Sequence, residues 1–262
     1  MIKTKKSLGQ NFFTNPNLAK KIVDTVLENP TDIILEIGPG QGYFSKLFRE
    51  RGKDFLKNLV MVEKDDLLAL NLQQLFPEYT IINQDFLDWN FEELKKYSSE
   101  SITFFGSLPY NVSKKIVEKI VQSEYFKTTA FFIVQKEVAE KYVAQPPENN
   151  LLATRTNIYS KAKKILDITP ESFKPRPKVM SSLISFTPEE KQYGELKKKG
   201  VKKEFDLFLQ NAYKQPRKKL ANNLKNYSFN KEEKRIEAIL DRRPQHISLD
   251  DFYYLFSNIS KV

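Results

Sequence analysis

Five short β-rich runs separated by stretches with helical spacing constrain this chain more than any other feature. The runs are Ile33–Ile37, 59–63, Thr80–Asn83, 102–106 and 130–134, and Asp66–Leu75 and 113–123 lie between them with apolar residues three or four apart. Strands alternating with helices predict an α/β fold, a mostly parallel sheet covered by helices. Ahead of the first run, Asn15 and Pro16 precede Leu18, Ala19, Ile22, Val23, Val26 and Leu27. That is the signature of a capped amphipathic helix with proline at its first position. The residues before it are expected to form an arm over the main domain.

The rhythm changes after Gln135. Pro146 and Pro147, then the three prolines within 170–177, break the chain into loops, and one more β-like run at 183–186 is expected to close the sheet. Beyond Pro188 a run of lysines, Lys191, Lys197, Lys198, Lys199, Lys202 and Lys203, leads into three helix-like stretches from about Phe205 to Ile259. The expected organisation is therefore a larger domain over 1–188 and a small all-helical domain over 189–262. A chain of 262 residues accommodates that pair and not several large domains.

Charge and composition narrow the chemistry. Lysine and arginine number 43 against 33 acidic residues, the balance of a protein that meets polyphosphate or another anionic surface. The absence of cysteine excludes thiolate chemistry, and a single histidine argues against zinc sites and histidine triads, so no metal is expected. No stretch approaches the roughly 20 apolar residues of a membrane helix, and Met1 to Ser7 lack the apolar core of a signal peptide, so a soluble, cytoplasmic protein without membrane contact is expected.

Leu35-Glu36-Ile37-Gly38-Pro39-Gly40-Gln41-Gly42 follows the first strand and enters a helix-like segment, the place where a nucleotide-type ligand meets an open α/β sheet. Its spacing is neither that of a pyrophosphate-cradling loop nor, without Gly-Lys-Ser/Thr, that of a triphosphate loop, so a cofactor without phosphates fits better. Glu63 ends the second strand, where a carboxylate can accept from both hydroxyls of a ribose, and Asp85 ends the third, where it can accept from an adenine amine. Either acid alone reads equally well as a helix cap. Three such features on consecutive strand ends favour a cofactor site.

Gly106-Ser107-Leu108-Pro109-Tyr110-Asn111 follows the fourth strand at the same sheet edge. With this motif the chain resembles the small-subunit ribosomal RNA adenine dimethyltransferases, known for kasugamycin sensitivity, with the erythromycin-resistance methylases as cousins. The resemblance covers nearly the whole chain. It rests on Gly9-Gln10-Asn11-Phe12, the Glu36-to-Gly40 segment, Gln84-Asp85, Leu108-Pro109-Tyr110-Asn111-Val112-Ser113, Gln135-Lys136-Glu137-Val138-Ala139 and Phe173-Lys174-Pro175-Arg176-Pro177-Lys178-Val179. Arg217-Lys218-Lys219-Leu220 and Arg243-Pro244, with Leu249, Phe252 and Leu255, tilt it toward the ribosomal enzymes.

The resemblance implies a Rossmann-like methyltransferase sheet that binds S-adenosylmethionine through Asn11, Phe13, Gly38, Glu63 and Asp85, beside Gly40 of the glycine loop, with Ser107 touching both cofactor and base. It implies N6,N6-dimethylation of adenines in a small-subunit rRNA loop, coupled to ribosome assembly, on rRNA or a pre-assembled subunit. Leu108 and Ser107 would supply acceptors to the target amine, Pro109 would stiffen the turn, and Tyr110 would stack on the base, with Phe173 on its opposite face. Lys198, Lys199, Arg217, Lys218 and Lys219, with Lys161 to Lys164, are candidate phosphate contacts. Such a fold needs no partner chain, so a monomer is expected.

This chain departs from the family pattern at Ser107, where asparagine is usual, at Met180, where aspartate is usual, and at Asn149-Asn150-Leu151, which replaces a Tyr-Gly. Two rival readings follow: an RNA-binding assembly or transcription factor whose chemistry is weakened by Ser107, and a large-subunit methylase conferring macrolide resistance. A nicotinamide-dependent dehydrogenase is remote, because the glycine loop has the wrong spacing and no histidine lies near it.

Overall fold

A computed structural model describes residues 11–29, 31–54, 56–97, 99–189, 194, 196, 201–230 and 232–259. They form two compact units. The first comprises residues up to Ala139 together with Lys163–Pro188, and the second comprises Glu140–Ala162 and Glu189 onward.

The first unit is built on a seven-stranded sheet. After a two-residue strand β1 (Phe12–Phe13) and helix α1 (Pro16–Leu27) come β2 (Ile33–Ile37), α2 (Tyr43–Gly52), β3 (Asn58–Glu63), α3 (Asp66–Leu75) and β4 (Thr80–Asn83). Then follow β5 (Ile102–Ser107), α4 (Ser113–Val121), β6 (Ala130–Gln135), α5 (Lys136–Tyr142), α6 (Leu151–Thr156), β7 (Ser160–Ile168), β8 (Phe173–Lys174) and β9 (Ser181–Pro188). The strand order is β4-β3-β2-β5-β6-β9-β7. β2 runs parallel to β3 and β5, as do β3 to β4 and β5 to β6, whereas β9 runs antiparallel to β6.

The central strand explains itself. All five residues of β2 are buried, Glu36 among them, as covered parallel strands require. On one face α1 contributes Ala19, Ile22, Val23 and Val26 to a cluster with Phe44, Phe48, Phe105 and Phe131, and burying each branched side chain contributes roughly 1.5–3 kcal/mol. The helix begins where its sequence says it should: the Asn15 side chain accepts from the Leu18 amide at 3.1 Å.

Two strand expectations need correction. The run around 183–186 belongs to β9, but β9 does not close the sheet, because β7 lies beyond it. β7 reads Ser-Lys-Ala-Lys-Lys-Ile-Leu-Asp-Ile and leaves Lys161 and Lys163 exposed. Lysines on an edge strand blunt unwanted pairing, and they hide its β character from a search for apolar runs. The second correction is the ribbon of β1 and β8, in which Phe12 opposes Lys174 and Phe13 opposes Phe173. Strands of two residues carry no periodicity. This ribbon ties the start of the described chain to the proline-rich segment, with the Thr14 amide donating to Ser172 O at 2.7 Å.

The second unit is mainly helical, with α6 joined by α7 (Lys202–Ala212), α8 (Leu220–Asn223), α9 (Lys234–Leu240) and α10 (Leu249–Ser257), four helices among the described C-terminal residues where three stretches were expected. The single cut expected after Pro188 is not the division observed, since Glu140–Ala162 groups with the C-terminal helices. The cause is side-chain pairing on α6: Thr154 Oγ1 lies 2.9 Å from Tyr213 Oη, and Arg155 Nη2 donates to Asp206 Oδ2 at 2.9 Å. The Asn149-Asn150 departure also has a structural reason. Buried Asn149 donates to Ile247 O at 3.0 Å, and Asn150 caps α6 by accepting from the Ala153 amide. Among the described residues no helix is long and apolar enough to cross a membrane.

Candidate active site

Chain order reverses beside β2, because β3 lies on one side of it and β5 on the other. A crevice opens at the carboxyl ends of strands flanking such a reversal, and here it is a cavity of about 240 Å³. Asn11, Phe13, Gly38, Gly40, Glu63, Asp85, Ser107, Leu108, Pro109, Tyr110 and Phe173 all line it. The structure therefore brings together every expected cofactor and catalytic residue. Arg217, Lys218 and Lys219 lie instead in the second unit, exposed, with Lys219 Nζ 2.5 Å from Asp241 Oδ1. Lys198 and Lys199, like Gly9 and Gln10, lie outside the described residues.

The glycine loop is shaped by backbone freedom and held by one carboxylate. Gly38 and Gly40 sit at φ of +62° and +60°, where a side chain would be strained. A Cβ on Gly38 would meet no atom within 4 Å, so that side of the loop is open space, whereas a Cβ on Gly40 would come within 2.9 Å of the Phe12 ring. Glu63, 6% exposed, accepts from the Gly40 amide at 3.0 Å through Oε2 and from the Asp65 amide at 2.9 Å through Oε1. Burial raises its pKa above the ordinary value, while the amides of Asp65 and Gly40 oppose the rise. Each carboxylate oxygen retains acceptor capacity for a further donor.

Glu36, to which the sequence alone assigns no task, is a further buried acid beside Glu63 and Asp65. It is 2% exposed, and Ser45 Oγ donates to its Oε2 at 2.5 Å. Burial lifts its pKa from the ordinary 4.5 to about 8; the Ser45 bond opposes the rise and nearby Glu63 adds to it. A protonated Glu36 ties β2 to α2 through Ser45 without adding its own charge to that of Asp65 beside Glu63.

Asp85 occupies the end of β4 and is engaged: Lys64 Nζ lies 2.6 Å from Oδ2, and the Leu87 amide donates to Oδ1 at 2.9 Å. Burial alone would raise its pKa, but the Lys64 ammonium and the Leu87 amide outweigh it and hold the carboxyl below its ordinary value. Lys119 on α4, another residue not singled out in the sequence, holds the loop after Asp85. Its ammonium donates to the carbonyls of Phe86 at 2.7 Å, Leu87 at 2.9 Å and Trp89. Three donors meet three acceptors. No local pattern signals this, because the partners lie about 30 residues from Lys119.

The fourth-strand loop is equally fixed. Gly106 cannot carry a side chain, since a Cβ would stand 2.8 Å from Ile37 O. The Leu108 amide donates to Ile133 O at 3.0 Å, and Tyr110 Oη lies 2.7 Å from Ser181 Oγ. Among the described residues the Ser107 hydroxyl, at the cavity wall, has no hydrogen-bond partner. Phe173 is both core and wall: 5% exposed, it packs edge-on against Phe13 at 5.2 Å between ring centroids.

The donor set suits a cationic adenosyl cofactor. Among the described residues the cavity presents the carboxyl groups of Glu63 and Asp85, aromatic and aliphatic walls and an open glycine face, and the one lysine among them, Lys64, is already paired with Asp85. Two predictions follow from these acids. Glu63→Ala removes both amide contacts and is expected to weaken S-adenosylmethionine binding at least about tenfold in titration calorimetry; unchanged affinity would remove Glu63 from the site. For Glu36, the unfolded carboxyl ionises near 4.5 while the folded one holds its proton to about 8, so stability is lost as pH rises through that window. Glu36→Gln should therefore gain thermal midpoint over the parent protein at about pH 8.5 and not at about pH 5. An advantage independent of pH would mean that Glu36 is ionised in the fold.

The profile of the family described as "Ribosomal RNA adenine dimethylase" matches residues 1–260. "Ribosomal RNA small subunit methyltransferase A" of Chlorobium phaeobacteroides is 34% identical over 262 residues, covering 98% of this chain and 92% of that protein. The protein of the same name from Malacoplasma penetrans is 35% identical, covering 95% and 92%. Among solved structures, the 23S rRNA methyltransferase ErmE superposes with a TM-score of 0.74 at 20% identity, over 95% of this chain and 99% of that one. A dimethyladenosine transferase from Plasmodium falciparum gives a TM-score of 0.74 at 19% identity, over 93% and 95%. These two structural likenesses establish the Rossmann-like methyltransferase fold.

Proposed function

This chain belongs to the ribosomal RNA adenine dimethylase family, and from that premise we propose that it dimethylates adenines in a loop of small-subunit rRNA during ribosome assembly, as a cytoplasmic monomer. It is an S-adenosylmethionine-dependent rRNA adenine dimethyltransferase. The observation that carries the residue assignment is the convergence of the glycine loop, Glu63, Asp85 and the Ser107-to-Tyr110 loop on one cavity.

Bound S-adenosylmethionine supplies a methyl group already activated on a sulfonium. The residues of this chain then have to hold it and bring an adenine amine into line, a positioning effect worth on the order of 7–11 kcal/mol in favourable cases. Glu63 accepts from the ribose hydroxyls. Asp85 accepts from the cofactor's adenine amine, which competes with Lys64 for the same carboxylate. Gly38 lets the cofactor approach the backbone, and Asn11 and Phe13 cover it from the ribbon side.

On the substrate side, the Leu108 carbonyl and the Ser107 hydroxyl accept from the target amine and draw electron density onto its nitrogen. Tyr110 and Phe173 bracket the base. Extruding a base costs a few kcal/mol, and stacking returns roughly 1–3 kcal/mol per base, so two aromatic faces offset that cost. No general base is needed, because the proton leaves to water after transfer. A nitrogen methylated once still carries a hydrogen, which permits a second transfer in the same pocket.

Exposed Arg217 and Lys218 serve as phosphate contacts for the second unit. Replacing both with alanine is expected to weaken binding to small subunits and to reduce the slope of log affinity against log salt by about 1 per residue. A slope unchanged in filter binding across salt concentrations would place the RNA elsewhere.

The deciding measurement is methyl transfer from radiolabelled S-adenosylmethionine to undermethylated small subunits, followed by nucleoside analysis. Dimethyladenosine in small-subunit rRNA is expected, and Ser107→Asn is expected to preserve or raise turnover. Binding of cofactor and subunit without transfer would support the assembly-factor reading, and label in large-subunit rRNA would support the resistance methylase.

A further inference from the structure

The segment Gln135-Lys136-Glu137-Val138-Ala139 carries part of the family resemblance, yet none of these residues lines the cavity. What it does is visible at the start of β9. The Lys136 amide donates to Met180 O at 2.9 Å, and Gln135 stands opposite Ser181 in the antiparallel register. The Lys136 ammonium lies 2.7 Å from Asp167 Oδ2, and Asp167 Oδ1 accepts from Ser182 Oγ at 2.7 Å. Lys164 Nζ approaches the same Oδ1 at 3.2 Å. Backbone and side chain of one lysine thus fix residues 180 and 182, on either side of Ser181.

Ser181 is fully buried and its hydroxyl lies 2.7 Å from Tyr110 Oη. Tyr110 is the aromatic residue of the fourth-strand loop, and a phenol bonded at its far end loses freedom to swing about its Cα–Cβ bond. We propose that Ser181 is a positioning residue for base recognition: its hydroxyl sets the plane of the Tyr110 ring, and the Lys136–Asp167–Ser182 bridge holds Ser181 where that bond forms. The assignment rests on the proposed function, in which the Tyr110 ring stacks on the target adenine. It gives the Gln135-to-Ala139 segment a task at the site without contact to substrate, and it makes β9 part of the active-site frame.

The bond can be removed from either end. Ser181→Ala deletes the buried hydroxyl, while Tyr110→Phe keeps the stacking ring and deletes only its anchor, leaving the buried strand untouched. Each single variant is expected to lower kcat/KM toward undermethylated small subunits by about 3- to 10-fold, the effect of one hydrogen bond, with S-adenosylmethionine affinity unchanged in calorimetry. The double variant is expected to be no worse than either single one, because both remove the same contact. Losses that multiply in the double variant, or a Tyr110→Phe protein indistinguishable from the parent, would overturn the assignment.

A second readout separates this outcome from the function itself. Quenching of 2-aminopurine in a single-stranded, adenine-rich RNA reports stacking without any methyl transfer. If the parent protein transfers no methyl group, the proposed function fails. The anchor still stands if both single variants quench less than the parent and equally, and falls if they quench as the parent does.

Discussion

Glu63 holding the Gly40 and Asp65 amides is the contact on which the glycine-loop end of the cavity depends. One buried carboxylate at the end of β3 reaches back across the sheet to fix the loop after β2 and forward to start α3. Gly38 and Gly40, at φ near +60° on alternate positions, have no side chains of their own to define the loop, so its shape must be imposed from outside. Glu63 imposes it beside a second acid, Glu36 on the neighbouring strand, whose pKa burial lifts to about 8. A protonated Glu36 adds no repulsion in that poorly screened interior.

The rest of the site is held by similar reaches between distant segments. Lys119 gathers three carbonyls of the loop following Asp85 and so links that end of the cavity to the helix that follows the Ser107-to-Tyr110 loop. The β1–β8 ribbon brings Phe13 against Phe173 across 160 residues of chain. Each of these contacts satisfies polar or aromatic groups that would otherwise be buried without partners or left to open water. Cross-links of this kind hold the walls in one arrangement, which suits chemistry that depends on alignment.

The departures from the family pattern divide by cause. Asn149 and Asn150 have structural work, tying α6 to the turn near Ile247 and capping it. Met180 contributes its backbone carbonyl to Lys136, which any residue could offer. Ser107 differs in kind, since at the cavity wall its hydroxyl has no hydrogen-bond partner among the described residues. A serine there offers a shorter side chain than the usual asparagine at a wall of the cavity.

The sequence by itself determined the alternation of strands and helices, the glycine loop, and the acids at successive strand ends, because each is written in local spacing: β-rich runs of four or five residues, a helix cap at Asn15, a turn that only glycine tolerates. Motif likeness added Asn11, Phe13 and Phe173, which no periodicity singles out. Only the tertiary structure decided that β7 forms the edge, since its lysines conceal its pairing, and that Glu140–Ala162 joins the C-terminal helices through Thr154 and Arg155. The same holds for the positions of Lys119, Ser181 and the Lys136–Asp167 bridge, and for the neutral state of Glu36. A hydrogen bond across 71 residues, such as that between Tyr110 and Ser181, leaves no trace in the spacing of either partner, and a shifted pKa is set by surroundings that exist only once the chain has folded.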